Sequence, residues 1–325
     1  MVAVVGVLLV VGVSTAIGKA ANYEKLLDAL RAADAAWLPL CLLGEVLAYT
    51  GYVLAYRETA AVDGGPRLDL RTTLQIVAAG FGALVVATGA GTLAVNYWAL
   101  RRAGASAQEA LARGVIGLNA MNWAVLGTAA CVSGAALLAG VGGDAPVAVC
   151  VAWLAVVPPC VAAAFWVTAP RRYARLADPD AGGRFRRLFA TAVHGVQIVR
   201  LQFSPSRRAI GPIGSALYWA GDILCLWAAL RAFDVRLGVP ALVLAFATGY
   251  VATALPLPAG GAGGVDAAMT YALTLVGVPL APALLGTFTY RFFNFWLPLI
   301  PALAVLPAVR HLGRSSQEPE PALQP

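Results

Sequence analysis

Four ionisable side chains stand inside long apolar runs: Glu45, Asp222, Asp266 and Arg291. A charge at membrane depth is expensive, so residues of this kind face a protein interior or a wet cavity and commonly mark a functional site. A buried carboxylate needs a partner or a proton; a buried guanidinium needs a carboxylate or a phosphate. The pairing these types suggest is Asp266 with Arg291. Either the two form a structural ion pair that fixes the last apolar run, or Arg291 contacts a lipid phosphate while Asp266 positions or releases it. Glu45 and Asp222 have no evident basic partner. They suit neutral hydrogen-bonding acids, or protonatable groups that couple transport to a proton gradient. For Glu45, a helix face lining water is the alternative.

Helical rise puts Glu45, Asp222 and Arg291 ~15–20 Å into their runs, near the middle of a ~30 Å hydrocarbon layer. Asp266 follows the glycine-rich break at 260–264 and is expected at similar depth. All four are expected to converge on one polar cavity. Asn294, with Gly260, Gly261 and Gly263, joins this candidate lipid-binding set. In an earlier part of the chain Thr92, Asn96, Asn119 and Asn122 offer an uncharged polar lining, or hydrogen bonds between helices. His194 and His311 have no second ligand nearby in sequence, so no metal or other cofactor is expected. Phosphate-binding Gly-x-x-x-x-Gly-Lys, His-Glu-x-x-His and Gly-x-Ser-x-Gly patterns are absent, which argues against an enzyme.

The elements that position these residues are membrane helices. The chain of 325 residues is 60% hydrophobic and 12% charged, against about 25% charged in soluble domains; its mean hydropathy is +0.77. The apolar runs are continuous rather than alternating, which fits helices and not a barrel. Full spans are expected over 2–18, 35–56, 114–140, 146–168, 209–233 and 280–309. Residues 23–34 read as a helix on the membrane surface, and 312–325 as a disordered cytoplasmic tail. Residues 1–311 form a single transmembrane domain. The net charge of +7 comes from loop arginines and implies no nucleic acid. The most basic loop, 171–208, must be cytoplasmic. Within it Phe185, Leu188, Phe189, Ala192, Val196 and Val199 make a helical stripe beside Arg184, Arg186 and Arg187, as in an interfacial helix facing anionic lipid head groups. The five cysteines, Cys41, Cys131, Cys150, Cys160 and Cys225, read as small buried apolar residues.

One segment occurs twice. Trp98, Leu100, Gly104, Ala110 and Trp123 fall on Tyr271, Leu273, Gly277, Ala283 and Trp296, a constant separation of 173 (for example 277 − 104). Each copy is a glycine-broken apolar stretch followed by a long apolar helix, within 72–140 and 239–309. Paired interrupted segments of this kind point to a binding site between repeats. If 72–100 enters and returns on one side, the arginine-bearing loops 57–71, 101–113 and 171–208 all become cytoplasmic, as do both termini. Three crossings then separate it from 239–276, so the second hairpin enters from the other side. The expected fold is an all-α polytopic membrane protein with about six full spans, two inverted re-entrant hairpins and interfacial helices.

The run Pro256-Leu-Pro258-Ala-Gly-Gly-Ala-Gly-Gly-Val-Asp266-Ala-Ala resembles the Pro-x-Pro-Gly-Gly-x-Gly-x-x-Glu signature of the flippase-like domain family, the transmembrane region of lysylphosphatidylglycerol synthases and their stand-alone relatives. Gly277-Val-Pro279, Tyr290-Arg291, Trp296-Leu-Pro298, Arg102-Ala-Gly104-Ala-Ser106 and Glu109-Ala110 are similar to it as well. The resemblance covers nearly the whole chain and implies lipid translocation, with the family's acidic residue at Asp266 and its arginine at Arg291. Here Asp stands for Glu, shorter by one methylene, and Ala259 separates Pro258 from the glycines. The aminoacyl-transfer domain of the bifunctional members is missing, so no aminoacylated lipid is expected to be made.

The function expected is that of a lipid flippase or lipid-linked glycan transporter in a bacterial cytoplasmic membrane, with membrane lipids as partners. The alternatives are a non-transporting membrane partner of a lipid-modifying transferase, and an integral membrane transferase using Asp266 or Asp222 as a base.

Overall fold

The computed structural model describes residues 28, 30–87, 90–177, 183–203, 209–254, 263–300 and 302. The expected first span (2–18), residues 23–27 and 29 of the surface helix expected over 23–34, Gly260 and Gly261 with the rest of the 255–262 motif, and the tail lie outside the described residues. The described residues fold into eleven helices and contain no strand: α1 Leu38–Ala61, α2 Leu70–Ala87, α3 Ala90–Arg102, α4 Ala107–Leu138, α5 Val147–Val167, α6 Pro170–Leu176, α7 Arg184–Gln202, α8 Ile210–Arg231, α9 Val239–Tyr250, α10 Gly264–Leu275 and α11 Leu280–Arg291. Among the described residues, four helical stretches are long and apolar enough to cross a membrane: Ala35–Gly64, Ala107–Leu138, Val147–Val167 and Ile210–Arg231.

The core is the crossing of α1 and α8. Gly44 lies against Gly221 and Cys225, and Gly51 against Gly214 and Tyr218. A methyl carbon at Gly44 would sit 2.7 Å from the Gly221 carbonyl oxygen, and one at Gly51 2.5 Å from that of Gly214. In hydrocarbon there is no water to drive helices together, so close backbone approach through small residues supplies the packing energy. Contacts that advance along α1 recede along α8, so the two helices run antiparallel.

Each core helix leads into a hairpin and then another helix. α2 and α3 lie side by side, with the Thr92 hydroxyl donating to the Gly80 carbonyl at 2.8 Å. α9 and α10 do the same, Gly249 meeting the backbone of Met269. The two copies match in backbone detail at the 173-residue separation. Gly104 (φ +91°) and Gly277 (φ +90°) end α3 and α10 in the left-handed conformation. The amide of Ala105 returns to the Leu100 carbonyl at 3.0 Å, and that of Val278 to the Leu273 carbonyl at 3.1 Å. Both are the long bond of a glycine-terminated helix end. Leu100 and Leu273, and Ala110 and Ala283, are buried in pairs. Because α1 and α8 are antiparallel, the two repeats they begin point in opposite directions.

The ends of the bundle differ in charge. The end of α1, the turn at 62–65 that follows it and the start of α4 meet around Arg113, whose guanidinium donates to the carbonyls of Ala60 and Val62. Gln202 at the end of α7 donates to Thr59 there, at 3.2 Å. Arg57, Arg67, Arg71, Arg101, Arg102 and the arginines of α6–α7 share this end. The other end gathers the start of α1, where the Asp34 amide donates to the Ala232 carbonyl at 2.8 Å, and the Gly142–Gly238 contact between α4 and α9. The α2–α3 hairpin therefore opens at the basic end, and the α9–α10 hairpin at the other.

Three expectations need correction. Residues 101–113 are not a loop. α4 begins at Ala107, capped by Ser106, whose hydroxyl accepts the Glu109 amide at 3.2 Å. Arg113 thus sits inside a helix, within a π-helical turn, Ala112–Gly117, and is only 3% exposed. The basic loop 171–208 is largely two helices. The Phe185/Leu188/Phe189 stripe is exposed, but the opposite face of α7 (Ala190, Val193, Gly195, Ile198) is docked on the protein, Gly195 against Ile116. Finally, Cys160 is exposed on α5, the outermost span, only 6% of whose apolar window is buried, against 61% for α8.

Candidate functional site

The interior site grows from two helix breaks in the second repeat. α10 starts at Gly263, whose φ of +83° suits glycine alone. The Gly263 amide donates to Asp266 Oδ2 at 2.9 Å, so the third residue of α10 caps its own helix. α11 loses its regular repeat after Arg291 and passes through a π-helical turn, Phe292–Trp296. Such turns are frequent at functional sites because they turn side chains out of register. Here Arg291 stands just before the turn and Asn294 within it.

Arg291 Nε donates to Asp266 Oδ1 at 2.8 Å, both side chains being less than a tenth exposed. The guanidinium carbon also lies 4.4 Å over the Phe295 ring. Asn294 Nδ2 donates to Asp222 Oδ1 at 2.7 Å. Glu45, on the facing helix, lies beside the same groups: Asp222, Asn294 and Cys225. Asp222 in turn feels Arg291. The structure therefore brings Glu45, Asp222, Asp266, Arg291 and Asn294 into one buried cluster spanning α1, α8, α10 and α11. Asp222 stands twelve residues from Ile210, ~18 Å along α8.

The cluster is incompletely satisfied. Both carboxylate oxygens of Glu45, Asp222 Oδ2 and Arg291 Nη2 are buried without a hydrogen-bond partner among the described residues. The same holds for the hydroxyls of Tyr49, Tyr290, Thr270 and Thr287. Buried polar atoms normally have partners, and unpaired ones carry a cost of ~1–3 kcal/mol each. A group of them at one place marks a site built for polar occupants. Three carboxyls and one guanidinium can hold a phosphate or a hydroxyl, accept an ammonium, or pass a proton.

A band of tyrosines surrounds the cluster and has no counterpart in the sequence reading. The rings of Tyr52 and Tyr218 meet at 5.3 Å, and the Tyr218 and Tyr250 hydroxyls share a hydrogen bond of 3.3 Å. Tyr218 and Tyr290 also stand beside Asp222.

The polar residues of the first repeat are used differently. Asn96 donates to the Tyr52 hydroxyl at 3.2 Å, and its carbonyl accepts from Tyr56. Asn122 accepts from Ser215 at 2.7 Å, and its carbonyl accepts the Trp219 indole N–H. Asn119 donates to the Val115 carbonyl of its own helix. Asn96 and Asn122 tie α3 and α4 to α1 and α8. None of the three is bonded to the acidic cluster.

A second polar group, at the basic end, was hidden from sequence reasoning. Arg113 Nε bonds to Glu109 Oε2, and His194 Nε2 lies 3.0 Å from Glu109 Oε1. Tyr173 OH is 2.7 Å from His194 Nδ1. Glu109 is thus shared between Arg113 and His194, with Tyr173 behind the imidazole. The only sequence signal was Ser106-x-x-Glu109, a helix-start pattern that fixes where Glu109 and Arg113 fall. No trio of His, Cys, Asp or Glu among the described residues is placed to hold a metal.

Apolar helices around an interior polar site, in two opposed copies, define a multi-pass membrane protein of all-α architecture. The chain belongs to the lysylphosphatidylglycerol synthase TM region family, whose model matches residues 2–302. A comparison with curated proteins finds no match.

Proposed function

We propose that this protein moves a phospholipid or lipid-linked head group across a bacterial cytoplasmic membrane, through the polar cluster between the repeats. The family ties it to membrane lipids. The single observation that carries the reading is the set Glu45, Asp222 Oδ2 and Arg291 Nη2, buried where the two repeats meet and without hydrogen-bond partners among the described residues. The head group enters this cluster, its phosphate against the free edge of Arg291 and its acyl tails in the bilayer. Asp266 positions Arg291, and Glu45 and Asp222 take the remaining polar groups of the cargo or a coupled proton. Opposed hairpins supply the alternating access, since rocking one repeat against the other exposes the cluster to each side in turn. The positive-inside rule sets the basic end, with α6 and α7, in the cytoplasm. On this reading, with 2–18 as a further crossing, both termini are cytoplasmic.

The test is reconstitution of the full chain in liposomes holding fluorescently labelled phospholipids. Movement of labelled head groups between leaflets, above the protein-free rate, supports transport. No movement of any lipid by folded protein favours a non-transporting partner of a transferase. A new lipid product from donor and acceptor lipids favours an enzyme.

A further inference from the structure

A second lipid site is suggested on the basic side of the molecule, independent of the transport reading. A groove of about 580 Å³ runs between α3, α4 and the N-terminal half of α7. Its walls are Leu93 and Tyr97 of α3, Leu111 and Val115 of α4, and Leu188 of α7. None of Glu45, Asp222, Asp266 and Arg291 lines it.

Two cations stand in it. Arg184 and Arg187 line the groove together with Leu188 and Thr191. The spacing i, i+3, i+4, i+7 puts all four on one face of α7, so guanidiniums and apolar wall belong to a single stripe. Neither arginine makes an ion pair among the described residues. A smaller polar pocket of about 190 Å³, with Glu109, Tyr173 and His194, adjoins the groove and shares Gln108 and Thr191 with it. Phe185, 89% exposed, and Phe189, 51% exposed, flank the same helix. Apolar side chains so exposed, next to arginines and outside the bundle, belong at the boundary between head groups and acyl chains.

We propose that this groove holds one anionic diacyl phospholipid, an acyl chain lying along Leu93, Tyr97 and Leu111 and the phosphate between Arg184 and Arg187. Charge complementarity argues for the anion: two guanidiniums with no ion pair among the described residues match a phosphate in geometry as well as sign. The apolar walls argue for a lipid and against a free anion in water, which would leave them uncovered.

Native mass spectrometry of the full chain with equimolar phosphatidylglycerol and phosphatidylcholine tests this. The wild type should retain the anionic lipid at least ~5-fold over the neutral one, a difference of about 1 kcal/mol. Arg184→Gln/Arg187→Gln should bring that ratio to parity. Arg186→Gln, on the same turn but outside the groove, should leave it unchanged. Leu93→Trp should fill the groove and lose the adduct without altering charge, and it keeps the test open if the double variant does not fold. Equal retention of the two lipids by the wild type overturns the proposal. So does a loss in Arg186→Gln as large as in the double variant, since that describes diffuse attraction and no site.

Discussion

Arg291 Nε donates to one oxygen of Asp266 at 2.8 Å, while the other oxygen accepts the Gly263 amide at 2.9 Å. One carboxylate thus joins the start of α10 to the end of α11 and leaves Arg291 Nη2 buried, with no partner among the described residues. A guanidinium held by a single nitrogen keeps its other edge for a second anion.

That arrangement makes Asp266 and Arg291 unequal to the sum of their parts. Asp266→Ala leaves a buried guanidinium without its counter-charge, and should cost ~3–5 kcal/mol of stability. Asp266→Leu/Arg291→Met removes both charges and should cost less than either single truncation. Thermal unfolding in detergent reads the difference. A double variant less stable than Asp266→Ala would contradict the pairing.

Asp222 is bonded to Asn294 by one oxygen only. Asp222→Asn preserves an acceptor for Asn294, so its unfolding free energy should stay within ~1 kcal/mol of wild type. Its lipid movement in liposomes should fall ~10-fold or more, the effect of losing one contact to a charged group. Glu45→Gln should behave in the same way, with unchanged stability and slower transport.

The antiparallel core depends on the absence of side chains at its crossing. Gly51→Val drives a branched side chain into the backbone of α8 around Gly214 and Tyr218. Overpacking of this kind costs ~1–3 kcal/mol where neighbours can move, and backbone cannot move far. Gly183→Ala, where an added carbon meets nothing within 4 Å and only the helix-start preference for glycine over alanine is lost, should cost no more than ~1 kcal/mol. Equal effects at the two sites would mean that the seam is not a packing contact.

Arg113 closes the basic end by donating to the carbonyls of Ala60 and Val62 and to Glu109. Arg113→Met should uncover these acceptors and destabilise by ~2–4 kcal/mol. Hydrogen exchange should accelerate first at the end of α1 and the start of α2, residues 58–72. A uniform increase over the molecule would argue against a local clamp.

Part of this was legible in the sequence. Glu45, Asp222, Asp266 and Arg291 stood out because an ionisable type in an apolar run is costly whatever its partner. The repeat was legible because its landmarks, above all Gly104 and Gly277, serve the same backbone turn. The tyrosine band was not, since a tyrosine in a span is ordinary and only packing reveals which hydroxyls gather. Arg113 was masked by its neighbours Arg101 and Arg102: a basic cluster reads as a loop, and a π-helical turn leaves no pattern in residue types. The docked face of α7 was missed because Gly195 and Ala190 carry little hydrophobic signal, although their smallness is what allows close contact.

The central claim is that the buried cluster between the repeats carries lipid head groups. The most direct measurement is the rate of labelled phospholipid movement in liposomes holding equal amounts of folded wild type and folded Asp266→Leu/Arg291→Met. The account predicts that the double variant moves lipid no faster than protein-free vesicles. A double variant that moves lipid at the wild-type rate would contradict it.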